Sequence, residues 1–159
     1  MELIIKDAND IDEYTRMIVE LTYELEKSCQ KKETIFCSRI NLTPMEFRCV
    51  RYLYDHGIVM ANELSNNLGV TRPRVTTILN KLEKKNLISR DIGKSDRRNI
   101  QISLNRHGKE FADKMYQEYM SFHKEILKVI GKDKMKGLLL NLSTFHQVLS
   151  KYITKNSTH

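Results

Sequence analysis

The stretch Thr71–Lys85, TRPRVTTILNKLEKK, constrains this chain more than any other. Thr71 suits a helix N-cap, because its hydroxyl can accept an N–H of the first turn. Pro73 falls inside that turn, where its missing N–H costs nothing. Val75, Ile78, Leu79 and Leu82 fall on one face of a 3.6-residue period, so that face is expected to be buried. Arg72, Arg74, Thr76, Thr77, Asn80 and Lys81 fall largely elsewhere around the helix. Helix starts ordinarily favour acidic residues, since the N-terminus already carries partial positive charge. Two arginines there suit a helix end that faces a polyanion. A solvated basic face is the competing reading.

The flanking residues weigh on that choice. Ala61–Leu68, ANELSNNL, reads as a short helix with Ala61, Leu64 and Leu68 on one side, and Gly69 ends it as a C-cap glycine. A helix, a short glycine-containing turn and a second helix with a polar start form a helix-turn-helix pattern. After Lys85 come Leu87-Ile88-Ser89-Arg90 and then Asn99–Leu104, in which Ile100, Ile102 and Leu104 alternate with polar residues as in a half-buried strand. Between these runs lies Gly93–Arg98, GKSDRR, a turn-forming tip with Lys94, Arg97 and Arg98 around Asp96. The pattern predicts a hairpin wing attached to the helix-turn-helix.

The charge distribution points the same way. The 159 residues carry a net charge of +7. Residues 1–42 hold six Lys/Arg against nine Asp/Glu, a net of −3. Residues 43–104 hold eleven against six and residues 105–159 hold ten against five, each a net of +5. A basic region is drawn to phosphates whatever the nucleic-acid sequence. No run approaches the roughly 20 apolar residues needed to span a bilayer. The start, MELIIKDANDID, lacks the pattern of a signal peptide, so a cytoplasmic protein is expected. Three cysteines, Cys29, Cys37 and Cys49, without CxxC spacing argue against a disulfide framework.

Amphipathic helices flank the central region. Ile11, Tyr14, Ile18, Leu21 and Leu25 form a heptad-like seam on a helix predicted from about Asp10 to Lys32, followed by a connection at Glu33–Asn41. Thr43-Pro44-Met45-Glu46 is a helix start with cap, proline and a capping-box glutamate; this helix carries Phe47, Val50, Leu53 and Tyr54 to about His56-Gly57. Ile58-Val59-Met60 is an apolar link or a minimal strand pairing with the wing. Asn105 can cap a long helix through Phe111, Met115, Tyr119, Phe122, Ile126 and Ile130, ended by Gly131. A last helix carries Met135, Leu138, Leu139, Leu142, Phe145, Leu149 and Tyr152, with fraying expected from Lys155. The expected fold is mainly α: a winged helix-turn-helix at 43–104 with a two-stranded wing, flanked by dimerisation helices at 1–42 and 105–159. The flanking helices have more apolar face than the central core can cover. A second copy is the simplest partner, placing two recognition helices about one DNA turn, roughly 34 Å, apart. A heterologous partner is the alternative.

These segments resemble the MarR family of bacterial winged-helix transcription regulators. The likeness runs through LTPMEFRCVRYLY at 42–54, ANELSNNLGVTRPRVTTILNKLEKKNLISR at 61–90 and SDRRNIQISLNRHGKE at 95–110. It implies a DNA-binding regulator acting as a homodimer on a palindromic operator, as a repressor that responds to a ligand. At the wing it implies that Asp96 buttresses Arg98, which enters the minor groove, while Arg97 meets phosphate and Lys94 shares the tip. On the recognition helix, Arg72, Arg74, Thr76 and Thr77 would meet base edges and flanking phosphates. Lys81, Lys84 and Lys85 lie further along and would be solvated or phosphate-facing. Asn105 stands where relatives commonly have Thr, and Asn86 where they often have Gly. Asn can cap in the first position and adopt the left-handed conformation in the second.

The resemblance also implies a small phenolic or lipophilic effector, for which Tyr14, Tyr23, Phe36, Met45, Tyr52 and Met115 are candidate walls. Aromatic residues at helical spacing equally serve as plain core. Redox sensing through Cys29 or Cys37 is an alternative within the family, although the sequence context of its redox-sensing branch is absent here; Cys49 reads as core. Metal response is a further alternative within the family, for which His107, His123 and His146 could supply ligands with acids of the same helices, but they lack close i, i+4 pairing, and no metal or cofactor is expected. A glycine-rich nucleotide loop, HExxH and a nucleophile motif are all missing, so an enzyme is not expected. A winged helix used only for protein contact is the remaining rival, and Arg72, Arg74 and Arg98 argue against it.

Overall fold

The computed structural model describes residues 11–92 and 100–156. The elements run α1 (Ile11–Arg39), α2 (Pro44–His56), β1 (Val59–Met60), α3 (Ala61–Leu68), α4 (Arg72–Lys84), β2 (Ile88–Ile92), β3 (Ile100–Leu104), α5 (Arg106–Ile130) and α6 (Lys132–Asn156). The fold is the mainly helical winged helix-turn-helix expected from the sequence. The chain divides into two compact units, Met1–Asp113 and Lys114–His159.

The first unit holds a core of Phe36, Leu42, Phe47, Val50, Leu53, Val59, Leu64, Val75, Ile78, Leu79, Leu82 and Ile102, all buried. Thr43 caps α2 as expected: its hydroxyl accepts the Glu46 N–H at 3.3 Å, and Glu46 Oε2 accepts the Thr43 N–H at 2.8 Å. The three strands are antiparallel in the order β1-β3-β2, so Val59–Met60 does form the minimal strand beside the wing. Val59 and Arg90 both lie opposite Ile102, in one row across the sheet. Ile88 lies opposite Leu104 in the next inward row.

The segment Glu33–Asn41 is not a loop connection. Helix α1 continues to Arg39, because Phe36 and Cys37 are buried there and Phe36 meets the Phe47 ring edge-on at 5.6 Å. The helix stops where Asn41 turns left-handed (φ 55°), with the Leu42 N–H donating to the Cys37 carbonyl at 3.0 Å. That bond pattern closes a helix in the same way as a terminal glycine does. Asn86 ends α4 by the same device, with φ 56° and the Leu87 N–H on the Leu82 carbonyl at 3.0 Å.

At the start of α5, Asn105 Oδ1 accepts the Gly108 N–H at 2.8 Å, as a cap should. Gly108 is where α5 meets Leu87, the residue just before β2: a Cβ there would lie 1.8 Å from the Leu87 carbonyl oxygen. In the second unit, α6 follows Gly131 (φ 80°) and runs through Lys155 to Asn156, past the predicted start of fraying. Among the described residues, no helix is long and apolar enough to cross a membrane.

Candidate nucleic-acid interface

The turn between α3 and α4 is held from both sides. Gly69 takes the left-handed conformation (φ 62°), the Val70 N–H donates to the Ser65 carbonyl at 3.1 Å, and Ser65 Oγ donates to the Val70 carbonyl at 2.6 Å. Ser65 is a contributor that the sequence pattern did not single out. The turn sends α4 out with Val75, Ile78, Leu79 and Leu82 buried and with Arg72, Arg74, Thr76, Thr77 and Lys81 exposed.

Thr71 occupies the N-cap position, but its hydroxyl makes no capping hydrogen bond. This corrects the expectation that the side chain would close the helix start. Its backbone is already extended (φ −69°, ψ 154°), and only its carbonyl engages the helix, accepting the Val75 N–H at 3.0 Å. The first turn therefore contains two guanidinium groups, no acid and no side-chain cap. Among the described residues, no carboxylate pairs with Arg72, Arg74 or Lys81. One turn in, the Thr76 and Thr77 hydroxyls donate to the Arg72 and Pro73 carbonyls, each at 3.1 Å. Their oxygens remain available as acceptors and their methyl groups remain exposed. Such a surface offers charge for phosphates, together with acceptors and methyl groups for base edges.

Lys85 departs from its expected place. Its Nζ donates to the Asn41 carbonyl at 2.6 Å and to Glu46 Oε2 at 2.9 Å, so it is neither merely solvated nor extended toward phosphate. The carboxylate that draws it in is buried, and burial makes pairing obligatory. Lys84 and Lys81 are exposed, as expected.

Arg90 is a second contributor missing from the sequence-based set. It stands in the inward row with Ile102 and Val59, and its guanidinium reaches Asn80 Oδ1 at 2.6 Å and Glu83 Oε2 at 3.3 Å. It thus ties the wing strand β2 to the recognition helix α4. Strand parity gives a signal for it, since Arg90 shares a face with buried Ile88 two residues earlier. The wing-tip residues Lys94, Asp96, Arg97 and Arg98 lie outside the described residues.

The six candidate effector residues have different surroundings. Phe36 and Met115 are buried, Met45 and Tyr52 are half-buried, and Tyr14 and Tyr23 are exposed on α1. Phe36 packs on Phe47, whereas Tyr52 donates its hydroxyl to Glu63 at 2.7 Å and stacks on His56. Tyr52 lines a polar groove with Glu33, Arg48, Arg51, Asp55 and His56. Cys37 and Cys49 are buried, and Cys29 is exposed. Burial, with a smaller contribution from the Glu33 carboxylate, pushes the Cys37 thiol up to about 11; burial alone takes Cys49 to about 12. Both thiols stay protonated near neutral pH, opposite to the lowered pKa that makes a cysteine reactive. Among the described residues, no cluster of His, Cys, Asp and Glu could hold a metal ion.

A cationic helix start carried on a helix-turn-helix beside a β-ribbon defines a winged-helix DNA-binding protein. The MarR family model matches residues 42–100. The HTH-type transcriptional regulator FarR of Neisseria gonorrhoeae is 28% identical over 116 residues, covering 71% of this chain and 80% of that protein. The crystal structure of YusO from Bacillus subtilis is similar at a TM-score of 0.69 and 22% identity, over 87% of this chain and 99% of the other. NadR in complex with 4-hydroxyphenylacetate is similar at a TM-score of 0.61 and 22% identity, over 88% and 96% of the two chains. Residues 42–100 therefore carry the segment that the MarR family model describes, and the relative from Neisseria gonorrhoeae is itself named as a transcription regulator.

Proposed function

We propose that the protein is a repressor that binds an inverted-repeat operator as a homodimer and is released by a small phenolic or lipophilic effector. The observation that carries this reading is the first turn of α4, where Arg72 and Arg74 stand exposed without an acid or a side-chain cap. In this reading the arginines meet phosphates and guanine edges in the major groove. Thr76 and Thr77, with their protons given to the helix backbone, accept from base amino groups or touch thymine methyls. Lys81 neutralises phosphate further along. At the wing, Asp96 steadies Arg98 in the minor groove, Arg97 and Lys94 meet the backbone, and groove width is read as shape.

Residues 43–104 serve DNA, while 1–42 and 105–159 serve dimerisation. The support for a dimer is the apolar surface that one chain leaves uncovered: Ile11, Tyr14, Ile18, Leu21 and Leu25 on α1, and Leu139, Leu142, Phe145, Leu149 and Tyr152 on α6 are all exposed. Helix α6 has no buried residue at all. Apolar stripes of this length are characteristic of association surfaces. A dimer lying across a promoter blocks transcription without any activating surface, which favours repression.

The effector reading draws on NadR, whose structure holds 4-hydroxyphenylacetate. Tyr14, Tyr23, Met45 and Tyr52 keep surface that a ligand could touch, whereas Phe36 and Met115 are buried. The test is selection of duplexes from a randomised pool by the full chain, followed by titration of the selected duplex with 4-hydroxyphenylacetate and related phenols. An inverted repeat released by a phenol supports the proposal. Enrichment of no sequence contradicts the operator, and insensitivity to every phenol contradicts the effector.

A further inference from the structure

The far end of the recognition helix is tied to the turn between α1 and α2. Lys85 Nζ donates to the Asn41 carbonyl at 2.6 Å and to Glu46 Oε2 at 2.9 Å. The same Glu46 oxygen accepts the Thr43 N–H at 2.8 Å, and Glu46 is only 2% exposed. Asn41 is itself fixed in the left-handed turn that ends α1. One ammonium group therefore joins the end of α1, the start of α2 and the C-terminal end of α4.

We propose that Lys85 is a positioning residue for DNA recognition: it sets the angle at which α4 presents Arg72 and Arg74, and it determines specificity without touching phosphate. The inference rests on the DNA-binding reading of α4. Two of the three ammonium donors are already engaged, and the charge is neutralised by a buried carboxylate. Helix α4 spans 13 residues. At 1.5 Å per residue that is about 20 Å, so a tilt of about 5° at the Lys85 end moves the arginines by roughly 2 Å. A hydrogen bond to a base edge does not survive such a shift. Attraction to the phosphate backbone is far more tolerant. Loss of the tie should therefore erode base reading and spare non-specific binding.

The test titrates full-length Lys85→Met, Lys85→Arg and the double variant Lys85→Met/Glu46→Gln, over a range of salt. The probes are a duplex selected by the unmodified protein from a randomised pool and poly(dI-dC). Lys85→Met is expected to weaken the selected duplex about tenfold, the scale of one bidentate base contact. Affinity for poly(dI-dC) and the slope of log affinity against log salt should be unchanged. Lys85→Arg should restore most of the loss, because a guanidinium can donate to both oxygens. Lys85→Met leaves the Glu46 carboxylate buried without its cation, so the double variant carries the same expectation if the single one does not fold. A salt slope reduced by about one, with parallel losses on both DNAs, would make Lys85 a phosphate contact and overturn the proposal. An unchanged specificity ratio in the folded double variant would overturn it equally. If the unmodified protein selects no duplex, the DNA-binding reading itself fails, an outcome distinct from either of these.

Discussion

Thr76 and Thr77 show how a helix limits what its own side chains can read. Each hydroxyl proton is given to a carbonyl one turn back, so each faces outward as an acceptor and a methyl group. In the proposed reading, discrimination by donation therefore falls to Arg72 and Arg74 on α4 and to Arg97 and Arg98. Arg98→Ala is expected to weaken binding to a selected duplex by more than about tenfold, the scale of a lost specific contact, with an unchanged melting temperature. Unchanged affinity in a salt-controlled titration would remove Arg98 from the interface. The cysteines make a separate prediction. With thiols raised to about 11 and about 12, Cys37 and Cys49 should resist a thiol-specific disulfide reagent at neutral pH until the protein is unfolded, while exposed Cys29 reacts. Rapid native labelling of Cys37 would reopen a redox role.

At the scale of elements, two junctions hold α4 and the wing in place. At the first, α5 passes so close to Leu87 that only glycine fits at position 108. Gly108→Ala would set a Cβ 1.8 Å from a backbone oxygen, which cannot swing aside as a side chain can. Overpacking of this kind costs about 3 kcal/mol, a fall of about 10 °C in melting temperature, measurable by thermal denaturation. The second junction is Glu46. Burial pushes its carboxyl up, but hydrogen bonds from Lys85 and Thr43 outweigh burial and hold it below the ordinary 4.5. A lowered folded pKa means the stabilisation is complete above 4.5 and is lost as pH falls through the lower value. The melting-temperature gap between the wild type and Glu46→Gln should stay constant down to about 4.5 and close on further acidification. A gap independent of pH would show that the carboxylate is not the stabilising species.

Much of this level was legible in the sequence because the signals are local. Thr43-Pro44 with Glu46, Gly69, Asn86 and Asn105 each mark an element end within three or four residues. The extension of α1 was hidden because its end depends on Phe36 meeting Phe47 and on Asn41, in place of a glycine, turning left-handed. Lys85 was misplaced for a related reason: its partner Glu46 stands 39 positions away, beyond any helical or strand period. The candidate effector residues carry no local signal that separates a pocket wall from core, and Phe36 illustrates the ambiguity.

At the scale of the molecule, the proposal turns on what covers α1 and α6. Leu139 and Tyr152 are 65% and 68% exposed in one chain. A charge placed on the α6 stripe should be costly only if a second copy buries it. Leu139→Glu combined with Leu142→Glu is expected to yield a folded monomer by sedimentation, with operator affinity lowered by about a hundredfold or more as the paired contacts are lost. A variant that still sediments as a dimer would move the interface away from α6.

The central claim is that two copies of α4 read successive turns of one duplex. Its most direct measurement is affinity for a selected inverted repeat as base pairs are inserted at its centre. Half-sites about 10 base pairs apart should bind best. An insertion of about five base pairs, which carries one half-site to the opposite side of the helix, should abolish tight binding, and a full extra turn should not restore it in a dimer of fixed span. Affinity that ignores the spacing would contradict the account.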